Sequence, residues 1–319
     1  MFIAMDPPKH DAQRKAVSPA LSPANIHELE PLIRERAGVI LDSLPIGETF
    51  DWVDKVSIEL TTMTLATLFD FPFEERRKLT RWSDVITAPE NAPGFGTEDE
   101  RRAELMECLA CFEALWRERV DAAPRGDLIS MMAHAESTRD MGPMEYLGNL
   151  ILLIVGGNDT TRNTISGSIL ALNQNPDQYR KLRDHPELLP SMVSETIRWQ
   201  TPLAHMRRTA TRDVEFGGKA IGAGDKVVMW YVSGNRDEEV IDNPNAYIID
   251  RERPRRHVSF GFGIHRCVGN RLAELQLRVI WDEIMKRFDT IKLAGEPVRV
   301  ASSFIKGYES LPVMIPARS

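Results

Sequence analysis

Phe260-Gly261-Phe262-Gly263-Ile264-His265-Arg266-Cys267-Val268-Gly269 runs directly into a helical pattern that begins at Asn270. Cys267 therefore lies just ahead of a helix, where free backbone N–H groups and the positive end of the dipole favour a thiolate. Gly263 and Gly269 let the backbone bend and approach a flat ligand closely. Phe260 is placed to cover the sulfur and keep water away. A thiolate under apolar cover suits axial ligation of haem iron. A lone cysteine is commonly just a small core residue. A nucleophilic cysteine needs a base and an orienting partner, and neither is evident. The ten residues together favour the ligand.

The chain around this loop is helical. It has 319 residues, 42% of them hydrophobic and 27% charged, which excludes a disordered chain or a fibre. Forty Lys and Arg against 47 Asp and Glu give a net charge of −7, which argues against non-specific nucleic-acid binding. Three cysteines exclude a disulfide scaffold and fit a reducing cytoplasm. The densest apolar run, Leu150 to Val155, is too short to span a bilayer, and the first residues are not a signal peptide. Helices are expected from Asp6 to about Ala16, from Ser22-Pro23 through Leu44, over Ser57–Phe69, Phe73–Ile86 and Glu98–Val120, and after an Asp127 cap. Pro89–Gly96 is expected to be a turn-rich loop. Pro176, Pro186 and Pro190 punctuate two shorter helices. Val214–Gly218 and Lys226–Val232 carry strand signals. Arg251–Gly269 is aperiodic, Asn270–Phe288 is helical, and Thr290–Ile315 suggests short strands. The expected fold class is mainly α with minor β, in one domain over residues 1–319.

The longest helix, Met144 to about Asn173, would run roughly 45 Å at 1.5 Å per residue. Its middle is nearly all apolar, so burial on every side is expected. Within it stands Gly156-Gly157-Asn158-Asp159-Thr160-Thr161. Two glycines cost a helix about 1 kcal/mol each, which makes sense where a ligand presses on the backbone. Packing glycines beside an incidental polar pair are the plainer alternative. An Asp in an apolar helix is costly unless hydrogen-bonded or shifted in pKa.

The cysteine loop resembles the haem loop of the cytochrome P-450 family: Phe, two residues, Gly, one residue, His or Arg, one residue, Cys, one residue, Gly. Each defining position is present. The resemblance implies a cytochrome P-450 fold, haem b with Cys267 as proximal ligand, and His265 on a haem propionate. It implies that Asp159 and Thr160 are the acid–alcohol pair that supplies protons for O–O cleavage, with O2 as co-substrate. Gly156 and Gly157 would leave room for oxygen. Glu195 and Arg198, three apart on a helix, match a buried structural clamp that an Arg completes, either Arg251 or Arg253. His10 and Arg14, four apart on the first helix, and Arg208 match propionate contacts. Read alone, Glu195 and Arg198 are an ordinary solvated pair, and His10 and Arg14 are surface charge. The family's earlier helices, much of its main sheet and its first substrate-facing loop have no counterpart, so an N-terminally incomplete member is expected.

Leu152 through Asn163, Pro202 through Arg208, and Ser259 through Asn270 resemble the bacterial terminal alkane and fatty-acid hydroxylases of that family. Candidate pocket residues are Leu152, Val155, Gly156, Leu203, Ala204, Met206, Phe304 and Ile305, whose apolar character suits a hydrocarbon chain. Leu203 and Ala204 are expected to shape the constriction that presents the chain end. A terpenoid or steroid hydroxylase is the alternative substrate class. A haem-binding protein without turnover is another, although binding alone needs no proton relay. With no flavin or iron–sulfur module, electrons are expected from a ferredoxin and an NAD(P)H-dependent ferredoxin reductase. Arg251, Arg253, Arg255, Arg256, Arg266 and Arg271 form a candidate docking face for such an acidic carrier. Cys108 and Cys111 have metal-like spacing, but no second pair completes a tetrahedral site. A cytoplasmic protein without a transmembrane segment is expected.

Overall fold

The structure, a computed structural model, describes residues 1–89, 92 and 94–319. Helix α1 (Lys9–Val17) starts after Pro7-Pro8, later than a cap at Asp6 would give; Asp6 supplies only its carbonyl to the His10 N–H at 3.0 Å. Helix α2 (Pro23–Asp42) begins as expected. The Ser22 hydroxyl accepts from the Asn25 N–H at 3.3 Å, and proline fills the first position. Strand β1 (Thr49–Asp51) and a π-type turn over Val53–Ile58 lead into α3 (Glu59–Phe69), then α4 (Arg77–Thr87). Within the loop expected over 89–96, Glu90, Asn91 and Pro93 lie outside the described residues. Helix α5 (Glu98–Val120) follows, and α6 (Leu128–His134) is capped by Asp127, which accepts from the Ser130 N–H at 2.8 Å.

Helix α7 (Pro143–Gln174) is 32 residues long and forms the spine. Helices α3, α4 and α5 pack on it, as do α8 (Pro176–Asp184) and α9 (Leu189–Gln200). Two strands, β2 (His205–Thr209) and β5 (Lys226–Trp230), pair antiparallel with His205 opposite Trp230 and Arg208 opposite Val227. Between them β3 (Val214–Phe216) and β4 (Lys219–Ile221) form a hairpin whose Gly217 and Gly218 have φ of +56° and +71°. β5 ends two residues before the strand signal does, because Tyr231 opens a single helical turn, α10 (Tyr231–Gly234).

After the aperiodic segment, α11 (Asn270–Arg287) packs against α2, α7 and α9. Trp281 Nε1 on α11 donates to Ser168 Oγ on α7 at 2.7 Å. Short strands close the chain: β6 (Lys292–Leu293), β7 (Val298–Arg299), β8 (Tyr308–Ser310) and β9 (Pro312–Met314). β9 lies between β1 and β6, so the tail is stitched to a strand near the start of the chain. The core between these helices contains the buried Trp52, Phe69, Trp82, Phe112, Trp281 and Phe288.

Candidate active site

The cysteine loop is held from three sides. The Cys267 N–H donates to the Phe260 carbonyl at 2.8 Å, closing the loop on itself. Arg14 Nη2 on α1 donates to the Arg266 carbonyl at 2.6 Å. Phe260 packs on the core, with its ring 5.4 Å from that of His257. Gly263 sits at φ +72°, where a side chain would be strained, whereas Gly269 has an ordinary φ of −93° and contributes only room. The Cys267 side chain is solvent-accessible although protein surrounds it, as on the floor of a cleft. Burial pushes its thiol up, against the Gly269 N–H and the cations Arg14 and Arg266, which pull it down. A bound metal cation would act with those groups, against burial, to favour the thiolate.

Beside the loop four basic side chains converge. The rings of His10 and His265 are 4.3 Å apart in an edge-on arrangement. His10 is 1% exposed, and its Nε2 is buried with no hydrogen-bond partner. Burial lowers the pKa of His265, and the charges of His10, Arg208 and Arg14 lower it further. His10 Nδ1 is paired with Asp11 at 2.7 Å, and Asp6 acts on His265, but Arg14 and Arg208 have no carboxylate partner among the described residues; with the orphaned His10 nitrogen they fit the carboxylate edge of an anionic ligand.

Helix α7 is not buried on every side. Leu152, Val155, Gly157 and Thr160 are partly exposed and Gly156 is exposed, in a helix whose other middle positions are buried. This stripe follows helical spacing and faces open space: a Cβ on Gly156 would meet nothing within 4 Å. Gly157 plays a different part, because its Cβ would lie 2.6 Å from Leu65 Cδ2 on α3. One glycine makes the notch, and the other lets α3 pack. The Thr160 hydroxyl donates to the Gly156 carbonyl at 2.9 Å, across the notch.

Asp159 is 0% exposed. Burial pushes its pKa up; Arg162 opposes this, with Nη2 2.9 Å from Asp159 Oδ1. Arg162 also bonds Asp84 on α4, whose side chain is 30% exposed. Thr87 and Asn158 donate to the two Asp159 oxygens at 3.4 and 3.3 Å. Asp84, Thr87 and Arg162 were not singled out from the sequence. Arg162 stands three residues after Asp159, a spacing that marks a shared face.

Glu195 and Arg198 on α9 are 0% and 1% exposed and doubly bonded at 2.7 and 2.8 Å. Arg251 completes the clamp, donating from Nε to Glu195 at 2.9 Å; Arg253 is exposed. Arg198 further donates to the carbonyls of Asn235, Pro244 and Ala246. The clamp therefore ties α9 to the segment leading into the cysteine loop. Glu195→Gln would leave two buried guanidinium groups short of a counter-charge. A loss of about 3–5 kcal/mol is expected, as for other broken buried pairs. Urea unfolding measures it, and a loss under about 1 kcal/mol would contradict the assignment.

Of the candidate pocket residues, Leu203 bridges Ile305, and the Ala204 N–H donates to the Phe304 carbonyl at 2.9 Å. Met206 lies on β2 in register with Met229. The Tyr308 N–H donates to Asn163 Oδ1 at 3.0 Å, fastening this tail to α7, where Leu152 and Val155 lie. On the outer side of the cysteine loop, Arg255, Arg266, Arg271 and Arg278 line a groove of about 640 Å³ with Phe260 and Phe262. Glu30 and Glu274 also line it. Arg251 is turned inward to Glu195 and so is not part of that face. Cys108 and Cys111 lie on α5, Cys108 fully buried, and burial raises both thiols. Among the described residues no three metal-ligating side chains cluster.

The family model described as "Cytochrome P450" matches residues 101–303. The chain is 40% identical to linalool 8-monooxygenase of Pseudomonas putida, over 98% of this chain and 77% of that protein. It is 32% identical to a methyl-branched lipid omega-hydroxylase of Mycobacterium bovis, over 98% and 74%. Its structure matches cytochrome P450-153 from Novosphingobium aromaticivorans at a TM-score of 0.92 and 52% identity, covering 99% of this chain and 77% of that one.

Proposed function

We propose, on the premise that this chain belongs to the cytochrome P450 family and is a monooxygenase, that it hydroxylates the terminal carbon of medium-chain alkanes or fatty acids. In this reading residues 1–319 form one haem-thiolate domain, and the Cys267 thiolate would hold the iron of haem b. The observation that carries the ligand assignment is the accessible Cys267 thiol on a loop closed by Phe260 and fixed to α1 by Arg14. His10, Arg14, Arg208 and His265 would neutralise the propionates. Bound haem would supply the iron that activates O2. Asp159 would hold a proton, its pKa raised by burial, and Thr160 would pass it at the Gly156 notch. Arg162, itself bonded to Asp84 on α4, holds the Asp159 carboxyl, so Asp159 must leave that buried contact to turn toward the notch.

The substrate class is supported by the apolar set Leu152, Val155, Leu203, Ala204, Met206, Phe304 and Ile305, and by a relative named as a lipid omega-hydroxylase. Terminal C–H bonds are stronger than internal ones, so selectivity must come from positioning. Ala204→Leu and Leu203→Phe should change the ratio of terminal to internal alcohols from octane by about tenfold, the scale of a methylene in an apolar pocket. An unchanged ratio by gas chromatography would count against the constriction. A terpenoid substrate is the second reading, favoured by the 40% identity to a linalool 8-monooxygenase. Faster turnover of linalool than of octane or octanoate would select it.

For electrons, a ferredoxin reduced by an NAD(P)H-dependent reductase would dock at the arginine-lined groove. Phe262, 86% exposed beside those arginines, adds an apolar contact there. No helix among the described residues is long and apolar enough to cross a membrane.

A further inference from the structure

Tyr231 belongs to none of the motifs above, yet it stands where two of them meet. It opens α10 directly after β5, and it is 8% exposed. Its hydroxyl lies 3.1 Å from the point a Cβ would occupy on Gly261, and the His265 carbonyl lies 4.0 Å from the same point. Gly261 is at φ +67°, so this turn of the cysteine loop both needs glycine and leaves the phenol its space. Arg208, on the strand paired with β5, is the charge that acts on the phenol, and it acts on His265 as well. Arg208 itself donates only to the Arg207 carbonyl and has no carboxylate partner among the described residues. The phenol, set against Gly261 beside a guanidinium that has no carboxylate partner among the described residues, is placed to donate to an acceptor that a bound ligand would bring.

We propose that Tyr231 is a further haem-positioning residue: its phenol donates a hydrogen bond to the propionate that Arg208 neutralises. Through its contact at Gly261 it also keeps the cysteine loop in register with that carboxylate. The inference rests on the haem reading above. Tyr231 contributes a neutral donor, which adds direction to a corner otherwise built from charges.

The test is haem transfer from the ferric holoprotein to excess apomyoglobin, followed by absorbance. Y231F keeps the ring and removes only the donor. It should release haem about tenfold faster than wild type, within the range of a hydrogen bond to a charged acceptor. R208Q should also release faster. The double variant should be less than about twofold faster than R208Q alone, because the two groups serve one carboxylate. Equal rates for wild type and Y231F, with faster loss in Y231L, would assign Tyr231 to packing and overturn the proposal. Full additivity of Y231F and R208Q would overturn it too. A wild-type chain that takes up no haem would instead overturn the haem reading on which the proposal rests.

Discussion

Cys267→Ala is expected to eliminate the thiolate-type carbonyl spectrum and with it all turnover above background. Outer-shell partners of a metal cost about ten- to hundredfold when removed; the ligand itself should cost more than that. The sulfur sits on a loop closed by its own N–H on Phe260 and pinned by Arg14 to Arg266, so the alanine variant keeps those backbone bonds and should fold. Circular dichroism close to wild type, together with absent activity, separates loss of the ligand from loss of structure. Activity within tenfold of wild type would remove Cys267 from the site.

Thr160→Ala is expected to keep haem and oxygen consumption but to divert most reducing equivalents to peroxide. Asp159→Asn should slow product formation by about a hundred- to ten-thousandfold, the range for a positioned general acid. The geometry accounts for the difference between the two. Thr160 is partly exposed at the notch and bonded only to the Gly156 carbonyl, whereas Asp159 is fully buried and tied to Arg162. Burial raises the Asp159 pKa, so its proton persists above the ordinary carboxylate range. Product formation should therefore fall as pH rises through that raised value, and the fall should be missing in Asp159→Asn. Oxygen-electrode, peroxide and product measurements on one sample give the coupling ratio. Normal coupling in Thr160→Ala would contradict the relay.

The parts of the site legible in the sequence are those whose residues are close in the chain. The cysteine loop, the Gly156–Thr160 run and the Glu195–Arg198 pair each lie within about three helical turns, so spacing alone places them together. The rest depends on the fold. Asp84 and Arg162 meet across 78 residues. The choice of Arg251 over Arg253 is made by the course of an aperiodic loop. β2 has no strand signal because His205-Met206-Arg207-Arg208-Thr209 is polar, and pairing with β5 makes it a strand. Tyr231 reads as the continuation of β5 because nothing local marks the turn at α10. The open side of α7, where the sequence predicts burial on every side, is hidden for a related reason. An apolar helix that lines a cleft has the same periodicity as one packed on all sides, and only Gly156, facing open space, tells them apart.

The chain reduced with dithionite under carbon monoxide tests the central claim most directly. A Soret band shifted far to the red, as a thiolate-ligated carbonyl complex gives, is predicted for wild type. A histidine-type carbonyl band, or no haem absorbance after reconstitution, would contradict it.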